Sequence, residues 1–250
     1  IRVGNHWSGE LFVGRQDNEF GLLSQGMVDF AFGSTTNWTP EVKARHLFNL
    51  PFLFPSYAAV DAVEQGEPGR RIFAEIESRG VVPLAWGEVG FRELSNDRRA
   101  IRKPEDLAGL RIRVVAVPFV ETFLALGALP VGVSLADLPD ALRDGTVEGV
   151  EGPIANGLVP QQLWTRQKHL TIWGHAVDPI IVAVSRRTWE RLSAADREIV
   201  RTTAVEVAGR EKAEASEGLA SSMGTLDDLG KKGMEVVVLG APERAAFQAK

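Results

Sequence analysis

Cysteine is absent from the 250-residue chain. Its absence excludes disulfides, thiolate metal sites and cysteine nucleophiles together. Histidine is scarce: His6, His46, His169 and His175 are the four, and none forms a His-x-x-x-His helical pair that would hold zinc. No apolar run approaches the roughly 20 residues that span a bilayer. There is no basic excess either. With 28 Lys and Arg against 33 Asp and Glu, the formal charge is -5, which argues against a nucleic-acid partner and against an anionic membrane surface. No phosphate loop of the G-x-x-x-x-G-K-(S/T) type occurs, nor a G-x-S-x-G elbow. No signal peptide is visible in the sequence, which opens on Ile1-Arg2-Val3; if the protein is exported, its signal is expected to have been removed or to lie outside this sequence.

What is present is ordinary for a water-soluble core-forming chain. Hydrophobic residues make up 44% and charged residues 24%, enough for one or two domains. Short β-rich runs alternate with helical periodicity, which predicts an α/β protein. Strands are expected at 1–3, 28–33, 81–86, 111–115, 131–133, 147–150, 169–173, 180–185 and 234–239. Helices are expected at 12–24, 57–78 (broken around Gly66–Gly69), 103–107, 118–126, 135–143, 156–163 and 194–222, the last opened by Ser193. Residues 49–54, Asn-Leu-Pro-Phe-Leu-Phe, read as a packed apolar turn. Arg111-Ile112-Arg113-Val114 alternates as a half-buried strand does, placing both arginines on one face.

Several segments together resemble the DctP family, the solute-binding subunits of tripartite ATP-independent periplasmic (TRAP) transporters. They are Gln25-Gly26-Met27-Val28-Asp29-Phe30, Leu50-Pro51-Phe52-Leu53-Phe54, the run from Trp86 to Asn96 around Gly90-Phe91-Arg92, the run from Pro104 to Val114, Leu126-Gly127-Ala128-Leu129-Pro130-Val131, and the run from Ala141 to Pro153. Each is weak alone; their order and spacing cover nearly the whole chain. The resemblance implies a two-lobed periplasmic-binding-protein-like α/β fold with crossover strands, a long connecting helix and a cleft between lobes. It implies one lobe from residues 1–89 and 177–215 and another from 90–176 and 216–250. The family's first strand and helix would precede Ile1, and its C-terminal tail would follow Lys250. It further implies capture of a small carboxylate for a TRAP permease in the periplasm, by a monomer with no cofactor, no metal and no catalysis.

The residues expected to carry binding follow from that resemblance. Arg113 is the expected carboxylate clamp, because a guanidinium offers a planar fork of donors to both carboxylate oxygens. Solvent exposure, or pairing with Glu105 or Asp106, is the competing reading. Arg92 is expected to line the cleft, against an ion pair with Glu88 or Glu93. Glu151 is expected to orient its loop or a neighbouring arginine. Gly152 stands where the family usually carries asparagine, which removes an amide contact and leans the ligand toward a monocarboxylate with an apolar or aromatic part. Gln16, Ser34 and Asn37 fall at polar contact positions with Trp38 beside them; turn chemistry is the alternative. Trp86, Trp173 and Leu135 are candidates for an apolar wall, with core packing as the alternative. His175 is expected to hydrogen-bond backbone at the return crossover. Glu148 and Glu151 stand three apart but are separated by Gly149, so paired-carboxylate chemistry lacks support. A ligand-sensing effector domain of a transcription regulator and an enzyme on a two-lobed scaffold remain as alternative readings.

Overall fold

The alternating patterns resolve into one mixed seven-stranded sheet flanked by helices, in a computed structural model describing residues 4–6, 18–38, 40–220 and 223–250. The strands are β1 (Phe30–Ser34), β2 (Val81–Asn96), β3 (Arg111–Val114), β4 (Leu129–Gly132), β5 (Gly149–Pro153), β6 (His169–Ser185) and β7 (Glu235–Val238). Their order is β1-β6-β2-β5-β3-β4, with β7 added alongside β6. β6 runs antiparallel to β1 and β2, and β2 antiparallel to β5. β3 lies parallel to β4 and β5, and β7 parallel to β6. The expected strands at 1–3 and the start of the helix at 12–24 fall outside the described residues.

The largest departure from the sequence-based expectation is the spine. β2 does not stop at Trp86 but continues to Asn96, and the expected strands at 169–173 and 180–185 are one strand, β6. Glycine, proline and charged residues in both joins read as loop. The ladder survives there because register shifts between Glu88 and Phe91, and between Arg92 and Leu94, absorb the irregularity. Gly90 (φ 111°) and Gly174 (φ 56°) supply positive backbone angles at these bends.

The helices are α1 (Glu19–Gln25), α2 (Thr35–Trp38), α3 (Tyr57–Gln65), α4 (Glu67–Ser78), α5 (Val117–Ala125), α6 (Leu138–Arg143), α7 (Arg186–Arg191), α8 (Ala194–Ala220), α9 (Met223–Lys231) and α10 (Ala241–Gln248). As expected, Ser193 caps α8: its Oγ accepts from Asp196 N at 3.1 Å. The turn at Pro104–Leu107 is a 3-10 turn rather than an α-helix, pinned by Asp106 Oδ2, which accepts from Arg102 N and Lys103 N. The helix expected at 156–163 is instead a π-type turn at Ile154–Leu158 followed by a 3-10 turn at Leu163–Thr165; Gly157 sits in the first of these turns.

Each half of the β2–β6 spine is covered on both faces, as the period of two requires. Val81, Ile181 and Ala183 face a cluster with Trp38, Phe48 and Ile72. Their neighbours Val82, Val182 and Val184 face Ala208, with Val200 and Ala204 packed against the same cluster. Beyond the bends, Leu94, Ile112 and Val114 pack with Phe119 and Phe123, while Val150 and Leu170 pack with Leu138 and Leu229 on the other side. The Leu50–Phe54 turn spans two of these clusters. Phe52 lies with Trp173 and Phe247 in one, Phe54 with Phe48 in another. Phe52 holds an unusual φ of 57°, and its N–H donates to His175 O at 2.7 Å. Leu50 and Leu53 are exposed, so only alternate residues of this turn are packed.

Phe123 is fully buried against Trp173 and His175. Phe123→Ala is expected to lower stability by about 3–5 kcal/mol in urea unfolding; a loss below about 1 kcal/mol would show that this core is not tightly packed.

Candidate functional site

The bends in β2 and β6 bring charged residues into the interior. Arg92, on β2, is 3% exposed. Its Nε and Nη2 donate to Glu151 Oε2 and Oε1 at 2.8 and 2.9 Å, and its Nη1 donates to Asp178 Oδ2 at 3.0 Å. The guanidinium carbon lies 4.9 Å from the Phe119 ring centroid. Burial of such a pair is costly unless its geometry is good, and here three guanidinium N–H groups meet carboxylate oxygens, two of them as a fork on Glu151. Burial alone would push the Glu151 carboxyl up. The Arg92 charge, and the bonds from His175 and Arg92, overcome it and hold Glu151 at about 2. Neither Glu88 nor Glu93 pairs with Arg92 in this geometry.

Asp178, on β6, carries the network onward. Its Oδ1 accepts from Ser34 Oγ at 2.6 Å, Thr35 Oγ1 at 3.3 Å and Thr36 N at 3.2 Å. An unbroken polar chain thus joins β5 to β2, β6 and the start of α2.

Arg113, on β3, differs from Arg92. It is 7% exposed and its Nε donates to Val133 O at 2.9 Å. Among the described residues no carboxylate forms an ion pair with it; the Glu151 charge acts on it only from a distance. Burial lowers its pKa to about 10, with Glu151 opposing and Arg92 adding to the shift, so it stays protonated at neutral pH. Arg111, on the same strand face, turns outward, with Nη2 3.1 Å from Glu148 Oε1. Glu105 and Asp106 do not engage Arg113.

Arg92 and Arg113 meet in a cavity of about 430 Å³. Seven of the ten expected site residues line it: Arg92, Arg113, Ser34, Asn37, Leu135, Glu151 and Gly152. Gln16 lies outside the described residues. Trp38 and Trp173 do not line the cavity. Trp38 is fully buried, donates from Nε1 to Glu19 Oε1 at 2.7 Å and meets Phe20 edge-on. A Cβ on Gly33 would fall 1.8 Å from its ring, so glycine is required there. Trp173 packs among Phe52, Phe123 and Phe247. Large rings satisfy the core before they satisfy a wet cleft. Trp86 likewise stacks on Phe73. His175 also departs from expectation: its ring sits between Phe119, Phe123 and Trp173 with Nε2 3.4 Å from Glu151 Oε2. Burial lowers its pKa, against the pull of Glu151, leaving the imidazole neutral.

Three carboxylates of the cavity wall escaped sequence reasoning: Glu19, Glu93 and Asp178. Glu93 Oε2 accepts from Trp173 N at 2.7 Å and Gly174 N at 2.9 Å, fixing the bend in β6. Burial nonetheless pushes its carboxyl up to about 7. Nothing in the sequence marks these residues, because each meets partners distant along the chain.

Crossover strands with separate hydrophobic clusters on either side, and a cavity lined by paired and unpaired charge, define a two-lobed solute-binding protein. The comparisons agree. The DctP family, bacterial extracellular solute-binding protein family 7, matches residues 1–250, and the chain belongs to that family. It is similar to a TRAP periplasmic solute-binding protein from Ralstonia eutropha H16, solved with bound (S)-2-acetolactate, at 46% identity and TM-score 0.92, covering 97% of this chain and 78% of that one. It is 30% identical to the C4-dicarboxylate-binding periplasmic protein DctP of Rhodobacter capsulatus over 94% of this chain and 70% of that protein. It is 29% identical to a solute-binding protein of Verminephrobacter eiseniae over 94% of this chain and 71% of that protein. Among the described residues, no helix is long and apolar enough to cross a membrane.

Two predictions follow from the buried charges. Arg92→Met leaves Glu151 and Asp178 uncompensated and should cost about 3–5 kcal/mol in chemical unfolding; a neutral outcome would show that the three groups are not a closed unit. Burial raises Glu88 to about 8 and Glu64 and Glu93 to about 7, above the ordinary 4.5. The folded chain therefore binds these protons more tightly than the unfolded one, and the stability they contribute declines as pH rises above 4.5 and is lost as it passes 7 to 8. His175, lowered from 6.5, works in the opposite sense below 6.5 and leaves the range above it to the carboxyls. The melting temperature should fall from pH 6.5 to pH 8.5, and Glu88→Gln should flatten the slope; an unchanged slope in that variant would remove Glu88 from the account.

Proposed function

We propose that this chain captures a small organic acid by its carboxylate in the periplasm and presents it to a TRAP membrane permease, without chemical change to the ligand. The observation that carries the reading is Arg113. A buried guanidinium at the cavity wall, with no carboxylate partner among the described residues, suits an incoming anion. Arg92, by contrast, is saturated by Glu151 and Asp178. It serves as a rigid floor and keeps Glu151 occupied, so that this carboxylate does not compete for Arg113.

The lobes proposed are residues 1–89 with 177–215, and 90–176 with 216–250. The bends at Gly90 and Gly174 and the pairing of β7 with the first residues of β6 support that division. Ligand bound to Arg113 on one lobe would gain contacts from Ser34 and Asn37 on the other. Closure is driven only by this extra affinity for the shut state. The working unit proposed is a monomer. The acetolactate found in the Ralstonia protein and the dicarboxylate named for the Rhodobacter protein support a carboxylate headgroup.

Two charge-assisted hydrogen bonds contribute about 1.5–3 kcal/mol each. Arg113→Ala should therefore weaken binding of 2-acetolactate about 100-fold or more in calorimetry, with the melting temperature of the free protein retained. Arg113→Lys, which keeps the charge and loses the fork, should recover only part of the affinity. Unchanged affinity in Arg113→Ala would end the proposal.

A further inference from the structure

The charges on the cavity wall are unevenly committed. Among the described residues the wall carries two guanidiniums, Arg92 and Arg113, and four carboxylates, Glu19, Glu93, Glu151 and Asp178. Arg92 is consumed by Glu151 and Asp178. Glu93 is held by two backbone amides, and Glu19 Oε1 accepts from Trp38. One cation remains without a carboxylate, on β3. Glu19 reaches the cavity from α1 and Asp178 from β6, elements outside the β3–β4–β5 group that presents Arg113.

We infer that the site admits acids with a single carboxylate and a compact apolar body, and rejects dicarboxylates. The inference rests on the carboxylate-binding reading and sharpens it. One carboxylate finds its counter-charge at Arg113. A second carboxylate on the same small molecule has no further cation without a carboxylate among the described residues, and it would lie beside a wall that already carries four acidic side chains, two of them paired with Arg92. An unpaired charge is a stronger discriminator than a missing methylene. Much of the remaining wall is apolar, with Val89, Val115, Leu135, Leu138, Leu158 and Ile180. Gly152 stands directly opposite Glu93 in the β2–β5 ladder and offers no side-chain donor to a second anionic group.

The test uses the whole natural chain and two ligands matched in shape. One is 2-acetolactate. The other is 2-hydroxy-2-methylpropanedioate, in which a carboxylate replaces the acetyl group at nearly equal volume. Calorimetry at pH 7.5 is expected to show the monoacid bound at least tenfold more tightly than the diacid. If the diacid binds as tightly as the monoacid, and Arg113→Ala abolishes both, the selectivity inference falls while the carboxylate reading stands. If neither acid binds, the carboxylate reading falls and this inference with it.

Discussion

The arrangement depends on one buried ionic unit, Arg92 with Glu151 and Asp178. It joins β2, β5 and β6 at the point where the crossover strands bend. Three charges in a nearly water-free interior are tolerated only because a planar fork faces one carboxylate squarely and its third nitrogen faces another. Asp178 then reaches Ser34, Thr35 and Thr36, so the mouth of α2 is set by the same unit. What this arrangement achieves is a separation of duties between two arginines of identical chemistry. One is structural and neutralised; the other keeps its charge available at the cavity wall.

The membership of the chain in the DctP family fits this division. A binding protein must release as well as hold, and a single guanidinium without a carboxylate partner among the described residues, in the role proposed for Arg113, would give a strong yet reversible grip. The buried carboxyls around the bends, Glu64, Glu88 and Glu93, make the interior costly to ionise. Backbone amides and Lys212 offset part of that cost.

Much of the fold was legible because it follows local rules. Alternation marked β3, and Ser193 marked the start of α8. The crossover spine was not, since Gly87, Glu88 and Gly90 on one strand, and Gly174 and Asp178-Pro179 on the other, look like loop until they are paired with each other. The candidate site divides in the same way. Arg113 was visible from strand alternation together with the family resemblance. Asp178 and Glu93 were invisible, because their meaning lies in partners 86 and 80 residues away. The tryptophans misled in the opposite direction: their size suggested a pocket wall, yet Trp38 and Trp173 fill the interior.

The Leu50–Phe54 turn imposes a mechanical limit on whatever motion the cleft makes. Phe52 is anchored in the cluster with Trp173 and Phe54 in the cluster with Phe48, only two positions apart along the chain. Two residues of backbone reach at most about 7 Å, so this strap cannot lengthen without pulling an aromatic anchor from its socket. If these two clusters move as the two proposed lobes, so short a strap favours rotation about this edge over sliding or separation along it.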